Sequence, residues 1–158
     1  MNHWLMKTEP SVFSFEDLVK APKSTTPWEG VRNYQARNLM RDSIKMGDLV
    51  LIYHSNAEPM AVMGVAEVVK EGHPDKSAMD PKSQYFDNDA AKKGTNPWVL
   101  VGVKAKSRFT VAVTRDALKK EKGLASMMVL KKGARLSVQP VTCEEFQIIL
   151  RLGKPEPI

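Results

Sequence analysis

The 158-residue sequence is poor in cysteine and histidine, and that poverty removes whole classes of chemistry. A single cysteine, Cys143, has no partner for an internal disulfide. The three histidines, His3, His54 and His73, are scattered and form no cluster at the spacing of a structural zinc site. Both absences suit a reducing cytosol, so a cytoplasmic protein without bound metal or cofactor is expected. No apolar run approaches membrane-spanning length, and Met1 to Lys7 lack the charged start and long apolar stretch of a secretory signal. A soluble chain that is not exported and has no membrane partner follows as an expectation. There is no internal repeat and no low-complexity tract.

What is present fits one folded unit. Hydrophobic residues make up 42% and charged residues 27%, far from the balance of a disordered chain. A single domain over 1–158 with one core is expected. The net charge of +6 attracts polyanions, although excess lysine also serves solubility.

Patterning along the chain gives about six strands with helices placed irregularly among them. Trp4-Leu5-Met6 reads as a first strand that ends by Pro10. Ser14 and Asp17 form a variant capping box for a short helix that stops before Pro22, and Lys20 to Pro27 reads as loop. A second helix runs from Asn33 toward Gly47. Leu49 to Tyr53 is a continuous apolar run, which implies a strand covered on both faces. Ala61 to Val69 is a further strand, interrupted by Gly64. Residues 71–97 are polar and aperiodic, a long surface excursion. Strand pattern returns at Trp98–Val103, around Phe109–Val113, and at Arg135–Gln139, where Pro140 ends it. Thr114 and Thr142 read as helix N-caps. The regular alternation of a doubly wound fold is missing, so the fold class is α+β, a curled mixed sheet with peripheral helices.

Four constellations bear chemistry. WEGVRNYQARN, from Trp28 to Asn38, places a tryptophan beside Gly30 at a loop-to-helix junction. Such a ring can stack on a base, or plug the edge of the core, and both readings stand here. YHSN, from Tyr53 to Asn56, carries the Asn56 amide, whose donors and acceptor can read a base edge, although Ser55 and Asn56 are also ordinary turn residues. In Lys7-Thr8-Glu9-Pro10, Lys7 suits a phosphate and Glu9 an exocyclic amino group, or the two form a surface ion pair. Arg135 and Ser137 share a strand face by period-two spacing, and Arg135 either meets a ligand or snorkels from the core.

WLMKTEP, WEGVRNYQARN, GDLVLIYHSN, VMGVAEVVKEGHPD and RLSVQPVT, in this order and nearly end to end, resemble the EVE domain. The resemblance implies a PUA-like pseudo-barrel, related to YTH domains, which hold a methylated adenine in an aromatic cage. EVE proteins, among them a thymocyte nuclear protein type and small bacterial stand-alone forms, are regarded as readers of modified bases, cytosine derivatives included. It implies a site in which Trp28 walls the base, Lys7, Thr8 and Glu9 flank it from a strand end, and Ser55 and Asn56 lie opposite. Tyr53, Asn33 and Arg135 would support the pocket. Loss of the Trp28 ring is then expected to weaken binding and spare the fold. The second tryptophan of the YTH cage has no clear counterpart, since Trp98 begins a strand and Tyr85 and Phe86 lie in the excursion.

The expected function is therefore non-catalytic binding of nucleic acid, DNA or RNA, through a modified base of methylated-cytosine type. One alternative is a general RNA-binding module that holds phosphates and reads no modification. Another is an enzyme using His54 as base with Ser55, or Cys143 as nucleophile. Neighbours on an extended strand point to opposite faces, and Cys143 has no nameable base and orienting partner, so catalysis is disfavoured.

Overall fold

In the computed structural model, which describes residues 1–158, β1 (His3–Thr8) sends Trp4 and Met6 to one face of the sheet and Leu5 to the other. β3 (Leu49–His54) does the same, with Val50 and Ile52 on the first face and Leu51 and Tyr53 on the second. The continuous apolar run of β3 is thus explained: both faces of the central strands are covered, and burying each large side chain contributes about 1.5–3 kcal/mol. β1 and β3 are parallel, and every other pairing is antiparallel.

Seven strands form one sheet, in which β2 (Thr25–Pro27), β5 (Val99–Thr114), β4 (Ala61–Pro74), β3, β1 and β6 (Val138–Val141) are neighbours in that order, and β7 (Pro155–Pro157) pairs with β5 off this path. Repeated register shifts between β4 and β5 bend this pair and curl the sheet without closing it. β2 and β7 are short and lie in series along the outer edge of β5, at residues 102–104 and 107–109. The other edge is β6, where Pro140 is tolerated because an edge strand needs hydrogen bonds on one side only.

Five helices cover the faces. α1 (Phe15–Lys20) has the reciprocal Ser14–Asp17 capping box. α2 (Tyr34–Asp42) buries Ala36 and Met40 on the Trp4 face. α3 (Asn88–Lys93) lies in the excursion, and α4 (Arg115–Lys119) is capped by Thr114. α5 (Cys143–Gly153), with a Thr142–Glu145 capping box, buries Phe146 and Ile149 on the Leu5 face. Gly64 does not interrupt β4. A side chain there would begin 2.5 Å from the Phe15 ring, so glycine lets α1 pack against the strand.

Four expectations need correction. The segment from Lys20 to Pro27 contains β2, which is too short and proline-bound to show a period. The excursion is ordered at both ends: β4 continues to Pro74, and α3 is closed by Asp87 and by Gly94 at φ +68°. The two strands expected at 98–103 and 109–113 are one, since Lys104 and Arg108 continue the pairing with β4 and Lys106 falls at a register shift between them, all three exposed. The strand expected at Arg135–Gln139 begins at Val138 and runs through Pro140.

Buried Asp48 anchors the start of this sheet, accepting from the Asn2 and Lys45 amides and from Trp4 Nε1 at 2.9 Å. Burial pushes its carboxyl up, but these donors outweigh it and hold it below the ordinary value. A carboxyl depressed in the folded state contributes stability that is complete above the unfolded value, near pH 4. That contribution disappears as pH falls from there through the folded value. Denaturant midpoints should therefore drop below about pH 4, and Asp48→Asn, less stable at neutral pH, should show a shallower acid decline. Equal acid slopes for both proteins would contradict this role.

Candidate functional site

A cavity of about 410 Å³ opens where the end of β1 meets the segment that follows β2. Its construction starts at Thr8, whose hydroxyl donates to the Phe13 carbonyl at 2.6 Å and folds the Glu9–Phe13 turn back onto the strand. Phe13 then meets the Trp28 ring edge-on at 6.2 Å. The Trp28 amide donates to Val101 at 2.8 Å, which continues the β2 edge by one residue.

Trp28 is only 6% exposed and belongs to the core cluster on the first face, yet it lines the cavity. The expectation that its ring is dispensable to the fold is therefore corrected. Its indole nitrogen distinguishes it from the other two tryptophans. Nε1 of Trp4 donates to Asp48 and Nε1 of Trp98 to Asp87. Nε1 of Trp28 has no protein acceptor, and no buried side-chain nitrogen or oxygen lacks a partner, so this N–H reaches open space. A tryptophan half built into a core with a free N–H is suited to hold a flat polar ligand.

A further part of the lining, Gln84 and Tyr85, comes from the excursion. Gly30, at φ +86°, lies against the Tyr85 ring, and a Cβ there would sit 2.5 Å from it. Arg32 holds the two segments together. Its Nε and Nη2 donate to the Tyr85 carbonyl, its Nη2 also to Ser77, and its Nη1 to Val31 and to Asp75. Asp75, wholly buried, accepts from Gly30 N–H at 2.9 Å, from Arg32 at 3.0 Å, and from the Ser77 amide and hydroxyl. Burial raises this carboxyl, and the Ser77 hydroxyl, the Gly30 amide and Arg32 together hold it below its usual range.

Four candidate residues share the cavity: Lys7, Thr8, Glu9 and Trp28. Lys7 Nζ donates to the Ala134 carbonyl at 3.3 Å, and burial followed by repulsion from Arg115 lowers its pKa. Glu9 joins no ion pair, and neither does Glu29, which also lines the cavity. The Glu29 carboxyl is raised by burial and by Asp75, partly offset by Arg32.

The other five lie elsewhere. Asn33 is the N-cap of α2, its side chain spent on the Ala36 amide at 2.9 Å. Tyr53 is buried in the cluster on the opposite face. Ser55 touches the site only through its amide, which donates to the Thr8 carbonyl at 3.0 Å. Asn56 is an exposed turn residue at φ +48°, away from the cavity wall, so the expected convergence of Trp28, Lys7 and the Ser55-Asn56 loop is only partial. Arg135 is exposed beyond the cavity lining, although Ser137, two residues on, belongs to it. His54 is engaged too: its Nε2 accepts the Phe15 amide at 3.0 Å, so the base proposed to act with Ser55 is occupied.

Phe13, Glu29, Arg32 and Tyr85 were not anticipated. Glu29 and Arg32 lie within WEGVRNYQARN without having been singled out there, and the signal for Tyr85 is an aromatic pair, Tyr85-Phe86, stranded in a polar stretch.

The pattern of the EVE domain matches residues 2–152. Human thymocyte nuclear protein 1 is 39% identical over 173 residues, covering 99% of this chain and 76% of that protein. Among solved structures, a hypothetical protein from Leishmania major is 45% identical with a TM-score of 0.90, covering 98% of this chain and 95% of the other. Human THYN1 protein in complex with 5-methylcytosine-containing DNA is 37% identical with a TM-score of 0.87, covering 99% and 100%. With the curled seven-stranded sheet and a match over almost the whole sequence, the chain belongs to the EVE domain family.

Proposed function

We propose that this protein binds nucleic acid by taking an unpaired base of methylated-cytosine type into the cavity lined by Trp28 and Tyr85, and that it acts by binding rather than by catalysis. The observation that carries the reading is that Trp28, whose indole N–H has no protein acceptor, lines a cavity shared with Phe13 and Tyr85. The human relative bound to 5-methylcytosine-containing DNA supports the choice of ligand. Trp28, Phe13 and Tyr85 supply apolar surface, and stacking on an aromatic ring contributes about 1–3 kcal/mol per base. Glu9 and Glu29 are acceptor-only groups without protein partners, suited to an exocyclic amino group. Lys7 and the Trp28 N–H are donors for a carbonyl or ring nitrogen.

The deciding experiment compares oligonucleotides that differ in one base, cytosine or 5-methylcytosine, at fixed salt, so that phosphate attraction is held constant. Tighter binding of the methylated strand is expected, and equal affinities would reduce the protein to a general nucleic-acid binder. Thymine shares the methyl group of 5-methylcytosine but presents a carbonyl in place of the amino group. Glu29→Gln, which can also donate, should therefore narrow the preference for 5-methylcytosine over thymine, by about 1 kcal/mol or more. Asn56→Ala should change neither affinity. A Glu29→Gln protein with the wild-type ratio would remove Glu29 from the base edge.

A further inference from the structure

We infer that the basic turn Lys131–Arg135 is a phosphate-binding rim that holds the sugar-phosphate backbone beside the base cavity; this rests on the reading of the cavity as a base site. The turn is built to face outward. Ala134 N–H donates back to the Lys131 carbonyl at 3.3 Å, and Gly133 takes φ +78°, the left-handed conformation that a tight turn places on glycine. Lys131, Lys132 and Arg135 are all exposed, and none joins an ion pair. A solvated surface lysine is commonplace. Three unpaired cations within five residues of a turn tied to a cavity wall are a concentrated positive field.

The tie is specific. Lys7, on the cavity wall, donates its ammonium to the Ala134 carbonyl, and its amide donates to the Ser137 carbonyl at 2.9 Å. On the other side, Arg115 donates to the Leu130 carbonyl at 3.3 Å. Two of the backbone acceptors that would repel an anion are thus occupied by cations. The Lys7 pKa is lowered chiefly by burial and secondarily by Arg115. The floor of the turn is fixed by Leu136, buried in the cluster that includes Trp28. A strand whose base enters the cavity must carry a phosphate on each side of that base, and this rim is the cationic ground next to the opening. Phosphate contacts of this kind set register and supply sequence-independent affinity.

The test uses single-stranded DNA carrying one 5-methylcytosine, the free nucleoside 5-methylcytidine, and the full chain with Lys131→Ala, Lys132→Ala and Arg135→Ala combined. Each lost contact to a single strand should reduce the slope of log affinity against log salt by about 0.7, so the triple variant should lose about 2. Affinity for the oligonucleotide at low salt should fall at least tenfold, and affinity for the nucleoside should stay at the wild-type value. Lys45→Ala, at the far end of the sheet beyond Leu49, serves as the charge control and should leave the slope unchanged. An unaltered slope in the triple variant overturns the proposal, and so does a matching loss for the nucleoside, which would make the turn a support of the cavity. A wild type that binds the oligonucleotide through these cations but ignores the nucleoside would refute the base-site reading and leave the rim standing.

Discussion

Replacing Asp75 by alanine should lower the unfolding free energy by about 3 kcal/mol or more and empty the cavity of its Tyr85 wall. The carboxylate is wholly buried, whereas the Arg32 side chain keeps 24% of its surface in solvent. Without Asp75 the guanidinium loses its charge partner, and the Gly30 and Ser77 amides lose their acceptors. Partial exposure of Arg32 lets water compensate for some of this, which places the loss at the low end of the range for a broken buried pair. The site should suffer more than the fold, because Gly30 and Tyr85 are held in contact by the Asp75 and Arg32 clip. Asp75→Asn keeps the shape and some hydrogen bonds and should lie between. Urea unfolding and binding of a 5-methylcytosine oligonucleotide measure the two effects. A loss under about 1 kcal/mol with wild-type binding would show that the clip is ornamental.

Much of the fold was legible because it rests on period and capping. The β1 and β3 runs, the Ser14 and Thr142 boxes and the helix after Asn33 announce themselves locally. β2 and β7 do not. Each is three residues long and exists because the outer edge of β5 offers unpaired backbone groups, which is a property of the assembled sheet. α3 had readable signals in Asp87, Asp89, Lys92, Lys93 and Gly94, but six helical residues are too few for a hydrophobic period.

The cavity was legible on one side only. Lys7, Thr8, Glu9 and Trp28 occupy motifs whose local chemistry suggests binding. Tyr85 reaches the lining through Asp75 and Arg32, contacts of 43 and 53 residues in separation, which spacing along a chain does not encode. Asn33 and Asn56 mislead for a shared reason. Asparagine caps helices and tolerates left-handed backbone, and the fold uses both residues for those purposes.

Trp28 is where the core and the site overlap, and its substitution should therefore affect both. Trp28→Ala removes a ring that packs with Phe13 and belongs to the Trp4 cluster, so unfolding free energy should fall by about 3–5 kcal/mol. Where the variant is still folded, base binding should weaken by about a further 1–3 kcal/mol through lost stacking. Trp28→Phe separates the two contributions. Phenylalanine retains an aromatic face and most of the buried surface but has no N–H. Its stability loss should be well below that of alanine, and its binding should weaken by about 0.5–1.5 kcal/mol, the net value of one hydrogen bond. Because Nε1 has no acceptor inside the protein, that loss belongs to the complex and has no counterpart in the free fold. Calorimetric titration of each variant with the methylated oligonucleotide, at a temperature where circular dichroism shows it folded, reads the difference. Trp28→Phe with wild-type affinity would take the indole N–H out of recognition, and folded Trp28→Ala with wild-type affinity would take the whole ring out.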